Sequence, residues 1–223
     1  MPIAYFNLAG DPNIGVFILA TDRFVIAPRL LSQRKTERLA EALRLSRWTR
    51  VRLCGSKLLG VFASANSRGV VLPDLCSEDE VEELKASLGV EVQAVSTKWT
   101  ALGNCILAND LGGVVDRRIP QAAIQTIEKT LGIRLTPSTI AGLPHVGSLG
   151  VATNKGVLVH PKATEDEKRQ LERALKVPVG VGTVNGGAVY VKLGLVANSY
   201  GAAVGAGTTG LELATITSTL GIQ

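Results

Sequence analysis

The chain has 223 residues, of which 46% are hydrophobic and 19% are charged, and it carries a formal net charge of +5. A chain of this size and composition buries roughly 70% of its unfolded surface in a core, which excludes general disorder. The charges are sorted along the sequence, because residues 1–57 carry ten basic and four acidic side chains whereas residues 58–116 carry three basic and nine acidic ones.

Apolar runs that begin with glycine recur along the chain and predict the first strand of five repeated units. The runs start at Gly15, Gly60, Gly103, Gly150 and Gly194, which are 43 to 47 residues apart. After each run comes a polar turn and a second apolar run, and four of the five turns contain Asn followed closely by Gly. Both residue types tolerate a positive φ, as tight turns between antiparallel strands require. The sequence therefore predicts five hairpins.

A helical period of about 3.6 residues follows every predicted hairpin. Ser77 with Glu80, and Thr164 with Glu167, have the spacing of a capping box, and Pro120 suits the first turn of a helix. The predicted helices cover residues 32–45, 77–88, 120–131, 164–175 and 208–220. Most of them lead into a further short apolar segment, which adds a third strand to the unit.

Units of this kind cannot bury both faces alone, so five consecutive copies are expected to share a core. Neither end of the chain carries the polar unit that caps an open stack, and the last unit is the most apolar. We therefore predict that the last unit closes against the first. The expected fold is α/β, a single-domain five-bladed α/β propeller with pseudo-fivefold symmetry. Its repeats cover about residues 1–45, 46–89, 90–132, 133–176 and 177–223.

Four short motifs occur in a fixed order on this predicted ring. They are Ala-Leu-Gly-Asn at 101–104, Asn-Asp at 109–110, Val-His-Pro at 159–161 and Gly-Thr-Val-Asn at 182–185. Together they resemble the translation initiation factor 6 family, and the resemblance runs from Asn13 to the final predicted helix. It implies a pentein-like fold. Because no polar tail follows Leu220, it also implies the archaeal type of this family.

The resemblance implies a non-catalytic factor that binds the large ribosomal subunit and blocks its association with the small subunit. The implied partner is a ribosomal protein beside the sarcin-ricin loop of ribosomal RNA. A role in large-subunit biogenesis is implied as well. We expect a monomer without cofactor or metal.

Pseudo-symmetry predicts which residues surround one opening of the ring. The residues expected on this rim are Ile14, Leu59, Leu102, Leu149 and Leu193. Two positions after the rim residue, four units carry an apolar residue, whereas the third carries Asn104. A lone amide there is either hydrogen-bonded inside or used for a contact outside, and the resemblance favours the contact. The expected ribosome-binding residues are Leu102, Gly103 and Asn104 by motif, and Val61, Ser148 and Leu149 by rim position. Ordinary packing is the alternative for the last three.

A basic run around Trp48 supplies Arg47, Arg50 and Arg52 as candidate contacts to the RNA backbone. Aromatic residues make up only 4% of the chain, and base stacking is the usual device for reading single-stranded RNA. Sequence-specific readout is therefore not expected, although a general RNA-binding protein is an alternative. Charge sorting fits such a partner, but solvent-exposed helices would produce it as well.

Two sequence patterns typical of enzymes bear on the function. Residues 205–210 fit G-x-G-x-x-G before a helix, but the chain ends 13 residues later, without the strand and acidic residue that a dinucleotide needs. Pentein enzymes that modify guanidino groups use a Cys nucleophile near the C-terminus, and no cysteine follows Cys105. Only folding could bring a cysteine to His145 or His160, so such an enzyme remains the alternative function.

Cys54, Cys76 and Cys105 are odd in number and lack C-x-x-C spacing, which predicts three buried thiols in a reducing cytoplasm. Two histidines without ligand spacing predict no metal site. The first 15 residues lack a secretory signal, and the uncharged stretch 193–211 contains five glycines, so neither secretion nor a membrane span is expected.

Overall fold

Five three-stranded sheets make up the computed structural model of this protein, which describes residues 3–222. In every sheet the first two strands form an antiparallel hairpin, and a third strand pairs in parallel with the second. The sheets contain β2 (Leu19–Ala20), β3 (Val25–Pro28) and β4 (Trp48–Val51); β5 (Ser64–Ala65), β6 (Gly69–Pro73) and β7 (Glu91–Val95); β8 (Ile106–Ala108), β9 (Gly113–Asp116) and β10 (Leu135–Ser138); β11 (Gly150–Ala152), β12 (Val157–Val159) and β13 (Val179–Val181); and β14 (Leu195–Ala197), β15 (Ala202–Gly205) and β1 (Ile3–Phe6). The five predicted hairpins are confirmed.

The sheets close into a ring around one axis. The first strands of the hairpins contact one another in cyclic order, so they lie closest to this axis. Strand β1 pairs with β15, with Ile3 opposite Ala202 and Phe6 opposite Gly205. The start of the chain thus supplies the third strand of the last sheet, which confirms the predicted closure and the five-fold pseudo-symmetric α/β fold.

Five long helices pack against the sheets, and four short helical turns precede hairpins. The long helices are α1 (Gln33–Ala42), α3 (Glu78–Leu88), α5 (Gln121–Leu131), α6 (Glu165–Leu175) and α8 (Gly210–Leu220). The short turns are a 3-10 turn at Ile14–Val16, α2 (Leu59–Phe62), α4 (Leu102–Cys105) and α7 (Val191–Gly194). Each long helix contacts the sheet of the preceding unit, so the apolar residues form five separate clusters between neighbouring sheets.

Capping residues fix where three of the long helices begin. The predicted capping boxes of Ser77 with Glu80 and of Thr164 with Glu167 are both present. A third box, Thr209 with Glu212 at the start of α8, was not predicted, because the expected start lay one residue earlier. Each box satisfies backbone N–H groups that the first turn of a helix leaves free.

The carboxylate of Glu212 does more than cap α8, because it also fastens the tight turn before α7. It accepts hydrogen bonds from the backbone N–H groups of Gly186 (3.0 Å) and Gly187 (2.8 Å), and from the Thr183 hydroxyl (2.7 Å). Burial alone would raise the pKa of Glu212, but these bonds and the one from the Thr209 N–H lower it to about 2. We call this arrangement, in which a capping-box glutamate accepts backbone N–H groups of an earlier turn, a clasp. Equivalent clasps join Glu80 to Cys54 and Gly55, and Glu167 to Ala141 and Gly142.

One cysteine prediction is wrong. Cys54 and Cys76 form a disulfide, and only Cys105 is a free and buried thiol. The Glu80 clasp holds the Cys54 turn against the start of α3, and Cys76 stands directly before that helix. An odd number of cysteines does not exclude one pair, and a contact between residues 22 positions apart has no local sequence signal.

Glycines at one end of the axis bring neighbouring units into backbone contact. A Cβ atom added at Gly60 would overlap the carbonyl oxygen of Gly15, and one at Gly103 would overlap that of Gly60. Gly147 approaches the Gly103 oxygen in the same way, and Gly15 approaches the Lys192 oxygen. No side chain could fit between these neighbouring backbone segments without opening the ring.

These contacts correct the predicted register of two units. Gly147 and Lys192, rather than Gly150 and Gly194, stand where the other units carry Gly15, Gly60 and Gly103. Accordingly, Val146 and Val191 replace Leu149 and Leu193 as the rim residues. In the fourth unit an apolar-glycine pair occurs at 146–147 and again three residues later, and in the fifth unit the pair at 193–194 ends two residues beyond Lys192. Short apolar runs do not distinguish a strand from a buried helical turn. The predicted strands also begin too early in the first three units, where the glycine lies in a helical turn.

Polar turns lock the units together at the opposite end of the axis. Asn66, Asn109 and Asn198 each accept hydrogen bonds within their own turn and donate to the next unit around the ring. The Asn109 amide reaches both the Thr153 oxygen (2.9 Å) and the Leu175 oxygen (3.0 Å) at the end of α6. The asparagines that predicted hairpins therefore also cap a helix of the neighbouring unit.

We expect Gly60→Ala to destabilise the fold by about 3 kcal/mol or more, because the methyl group meets backbone that cannot yield without opening the ring. Gly210→Ala is the matched control, since it lies in α8 with no atom within 4 Å of the added carbon. Urea unfolding followed by circular dichroism measures both variants. Equal stability of Gly60→Ala and the parent protein would contradict the backbone contact.

We expect Glu212→Gln to lower the free energy of unfolding by about 2 kcal/mol at pH 7, because the amide cannot match a carboxylate that accepts several N–H bonds. The folded pKa lies below the unfolded one, so the advantage of the parent protein exists above pH 4.5 and disappears as the pH falls from 4.5 through about 2. Thermal melts between pH 2 and pH 7 test this. The exposed Glu172→Gln in α6 is the control, and a difference that does not depend on pH would refute the clasp.

Candidate functional site

A cavity of about 570 Å³ opens where the short helical turns surround the axis. Its apolar wall comes from Val16, Val61, Ala101 and Leu193, which belong to three of the five units and the loop before α4. Trp99 and Tyr190 add aromatic rings to the wall. The cavity thus lies on the pseudo-symmetry axis and is shared by several units.

Three of the six predicted binding residues line this cavity. Asn104, Val61 and Ser148 are half-buried at its wall. With the corrected register, Asn104 and Ser148 occupy equivalent positions, and Val16, Val61 and Leu193 fill that position in the other units. The sequence pattern did not single out Val16 as a binding residue and placed Leu193 at the rim position instead, whereas the correct register makes both equivalent to Asn104.

The other three predicted residues lie below the surface. Leu102 and Leu149 have no exposed surface, and Gly103 is buried against the backbone of Gly60. The expectation that the leucine side chains make the contact is therefore wrong, because both belong to the clusters between sheets.

The Asn104 side chain is available for a contact. Its backbone is fixed, since the N–H donates to the Ala101 oxygen (2.9 Å) and its carbonyl accepts from the Gly147 N–H (2.9 Å). The carboxamide makes no hydrogen bond to any residue within 3–222. The alternative of an internally satisfied amide is thus not what the described residues show.

Trp99, which lines the cavity, packs against Arg118. The guanidinium of Arg118 stacks over the Trp99 ring, 4.2 Å from its centroid, and the indole N–H donates to the Arg118 oxygen (3.1 Å). Arg118 also donates three hydrogen bonds, two from Nε and one from Nη2, to the fully buried carboxylate of Asp116. Burial alone would raise the pKa of Asp116, but the bonds from Arg118 lower it. This pair and the stacked indole had no signal in the sequence motifs.

Cys105 and His145 line the same cavity, which is the arrangement that a pentein enzyme would need. However, Cys105 is only 3% exposed, and no hydrogen bond joins its thiol to His145 in the described chain. Burial, together with the negative charge of Asp116, raises the pKa of the thiol to about 11. A nucleophilic cysteine needs its pKa lowered instead. His145 faces Arg118, whose Nη2 lies 3.3 Å from its Nδ1.

Lys192 forms the floor of the cavity. Its ammonium nitrogen donates to the Gly103 oxygen at 2.5 Å, across the axis from its own unit. Burial lowers the pKa of Lys192 to about 8. A second, apolar cavity of about 80 Å³ lies beyond it between the first strands.

Two of the three predicted RNA-contacting arginines are engaged within the fold. Arg47 donates to the Leu88 oxygen (2.6 Å) at the end of α3, and Arg50 donates to the Leu31 oxygen (3.1 Å). Arg52 is exposed. Part of the basic run therefore serves the fold, because these two arginines donate hydrogen bonds to backbone carbonyl oxygens at the end of a helix and in a loop.

Neither the second histidine nor other residues form a metal site within 3–222. His160 is buried, and its Nδ1 accepts the N–H of Lys162 at 3.0 Å. No group of three metal-binding side chains occurs in the described part of the chain. In the same residues, no helix has the length and apolar character needed to cross a membrane.

We expect the Cys105 thiol of the folded protein to react with iodoacetamide about 100-fold more slowly than free cysteine at pH 7.5, because its thiolate is disfavoured. Intact-protein mass spectrometry follows the reaction, and unfolding in urea should restore normal reactivity. Fast alkylation of the folded chain at neutral pH, with turnover of a guanidino compound, would favour the enzyme alternative.

Comparisons with known proteins agree with this architecture. The model of the eIF-6 family matches residues 3–219. Translation initiation factor 6 of Pyrococcus abyssi is 38% identical over 226 residues, which cover all of both chains. The protein of that name from Aeropyrum pernix is 42% identical over 217 residues, covering 96% of this chain and 93% of the relative. The one from Saccharolobus islandicus is 37% identical over 223 residues, covering 99% and 100%. With a family match along nearly its whole length, the chain belongs to the eIF-6 family.

Proposed function

We propose that this protein is a translation initiation factor that binds the large ribosomal subunit and keeps the small subunit from joining it. The observation that carries the proposal is the family match over residues 3–219. Relatives of archaeal origin with full-length similarity bear the name translation initiation factor 6. The same factor takes part in large-subunit biogenesis and acts in the cytoplasm as a monomer, one domain of five repeats.

The docking site is the end of the ring that carries the cavity. Asn104 offers an unused amide, and Val61 and Ser148 lie half-buried beside it. An amide can pair with the backbone of a partner, while the apolar wall and the two aromatic rings provide burial. The partner at this end is a ribosomal protein beside the sarcin-ricin loop, and Arg52 is the exposed arginine that reaches RNA backbone.

Rigidity and size suit a steric mechanism. A standard interface takes about 800 Å² from each partner, which is less than a tenth of the 9379 Å² accessible surface. Most of the ring therefore stays free to occupy the space that the small subunit needs. Its units touch through backbone at one end and through hydrogen bonds at the other, so the ring docks without changing shape. No bond is made or broken.

We expect Asn104→Asp to weaken binding to large subunits about tenfold or more, because an added charge at a buried contact is costly. Cosedimentation with purified large subunits measures binding, and a thermal melt checks that folding is unchanged. The exposed Asn7→Asp, beyond β1, is the matched control.

Unchanged binding of Asn104→Asp would remove this residue from the site. The function itself is tested by gradient sedimentation of mixed subunits, in which the parent protein should reduce the joined-subunit peak. If the parent protein neither binds large subunits nor reduces that peak, the proposed function is wrong.

A further inference from the structure

Lys192 breaks the pseudo-symmetry of the ring at its axis. The four equivalent positions are glycines, whose missing side chains let the units touch. Lys192 keeps the backbone contact, because its own oxygen meets Gly15, but its side chain runs across the axis to the third unit. Since the other four units close with glycine, ring closure gives no reason for a lysine here.

Among residues 3–222, the Lys192 ammonium has an acceptor for one of its three protons. Its one acceptor among residues 3–222 is the Gly103 oxygen, and no carboxylate in that range lies within ion-pair distance of it. A half-buried cation without a counter-charge is costly, and burial of its ammonium lowers the pKa of Lys192. The fold therefore maintains an incompletely paired positive charge at the floor of an open cavity.

The chemistry of the cavity wall points to an anion. None of the residues that line the cavity is acidic, while Lys98, Lys192 and His145 are basic. The Asn104 carboxamide, nearer the mouth, has no partner in the described chain. Apolar side chains fill much of the remaining wall, which suits the carbon atoms of a polypeptide better than the charged backbone of RNA.

We propose that the cavity receives an acidic side chain, Asp or Glu, from a polypeptide segment of the ribosomal partner. Its carboxylate pairs with the Lys192 ammonium, and the backbone of the same segment pairs with the Asn104 amide at the mouth. The inference rests on the proposed function and adds to it the charge that the partner must present. A carboxylate there supplies the missing acceptors and turns an unfavourable buried charge into a pair.

The test replaces the lysine in two ways. Lys192→Gly restores the residue of the other four units, and Lys192→Met keeps the unbranched apolar chain without its charge. The exposed Lys35→Met in α1 removes the same charge elsewhere. We expect both Lys192 variants to bind large subunits about 30-fold more weakly or worse, since either leaves the partner carboxylate buried and unpaired. Lys35→Met should bind like the parent protein.

Two readouts separate recognition from folding. At pH 7 the melting temperature of the Lys192 variants should equal or exceed that of the parent protein, because each variant removes an unpaired charge. Affinity of the parent protein should fall as the pH rises through about 8, where free Lys192 loses its proton, and both variants should lose this dependence. Parent-like affinity in both variants, or an unchanged pH profile, would overturn the proposal while leaving the proposed function intact.

Two further binding experiments identify the source of the anion. Carboxypeptidase treatment of large subunits should leave Lys192-dependent binding unchanged, whereas its loss would show a terminal carboxylate and overturn the acidic side chain. Protein-free large-subunit RNA should not show Lys192-dependent binding. If it does, the anion is a phosphate and the proposal is wrong. Failure of the parent protein to bind any large subunit would instead refute the proposed function.

Discussion

Close approach of backbone to backbone around one axis is the constraint on which the rest of the structure depends. Where the units meet, the carbonyl oxygen of one occupies the space of the next residue's side chain, so glycine is required at Gly15, Gly60, Gly103 and Gly147. The first strand of each hairpin begins three or four residues after this position in every unit. The cavity exists because the four short helical turns and the turn at 146–148 converge there without filling the centre.

Neighbouring units are joined by different interactions at the two ends of the axis. At the cavity end the units touch without side chains, whereas at the other end asparagine amides and carboxylates join neighbouring turns. Asn154, for example, donates to both Asp22 and Asp110, and so connects three units through one side chain. The polar side chains at that end form hydrogen bonds between neighbouring units. At the cavity end, by contrast, Asn104 and Lys192 have hydrogen-bonding groups without a partner among residues 3–222.

Local patterns predicted much of the fold and little of the site. Hairpins and helices follow from turn residues, helical periodicity and capping boxes such as Ser77 with Glu80, all of which act within a few residues. The position of Lys192 on the axis depends instead on register, which the apolar-glycine pair at 193–194 displaced by two residues. The Cys54–Cys76 disulfide and the stacking of Arg118 on Trp99 arise only when separate segments meet. Asn104 was found because it interrupts a repeat, a signal that survives without a structure.

Closure of the ring by β1 also has a consequence for how the chain is made. The partner of Ile3 is Ala202, so the first strand to leave the ribosome has no place to pair until almost the whole chain has followed. At synthesis rates of about 5–20 residues per second, that delay amounts to roughly 10–40 seconds. During it the four earlier sheets can assemble, but the seam remains open. Completion of the circle is thus an event of the finished polypeptide, and the nascent chain exposes an unpaired β-edge throughout its elongation.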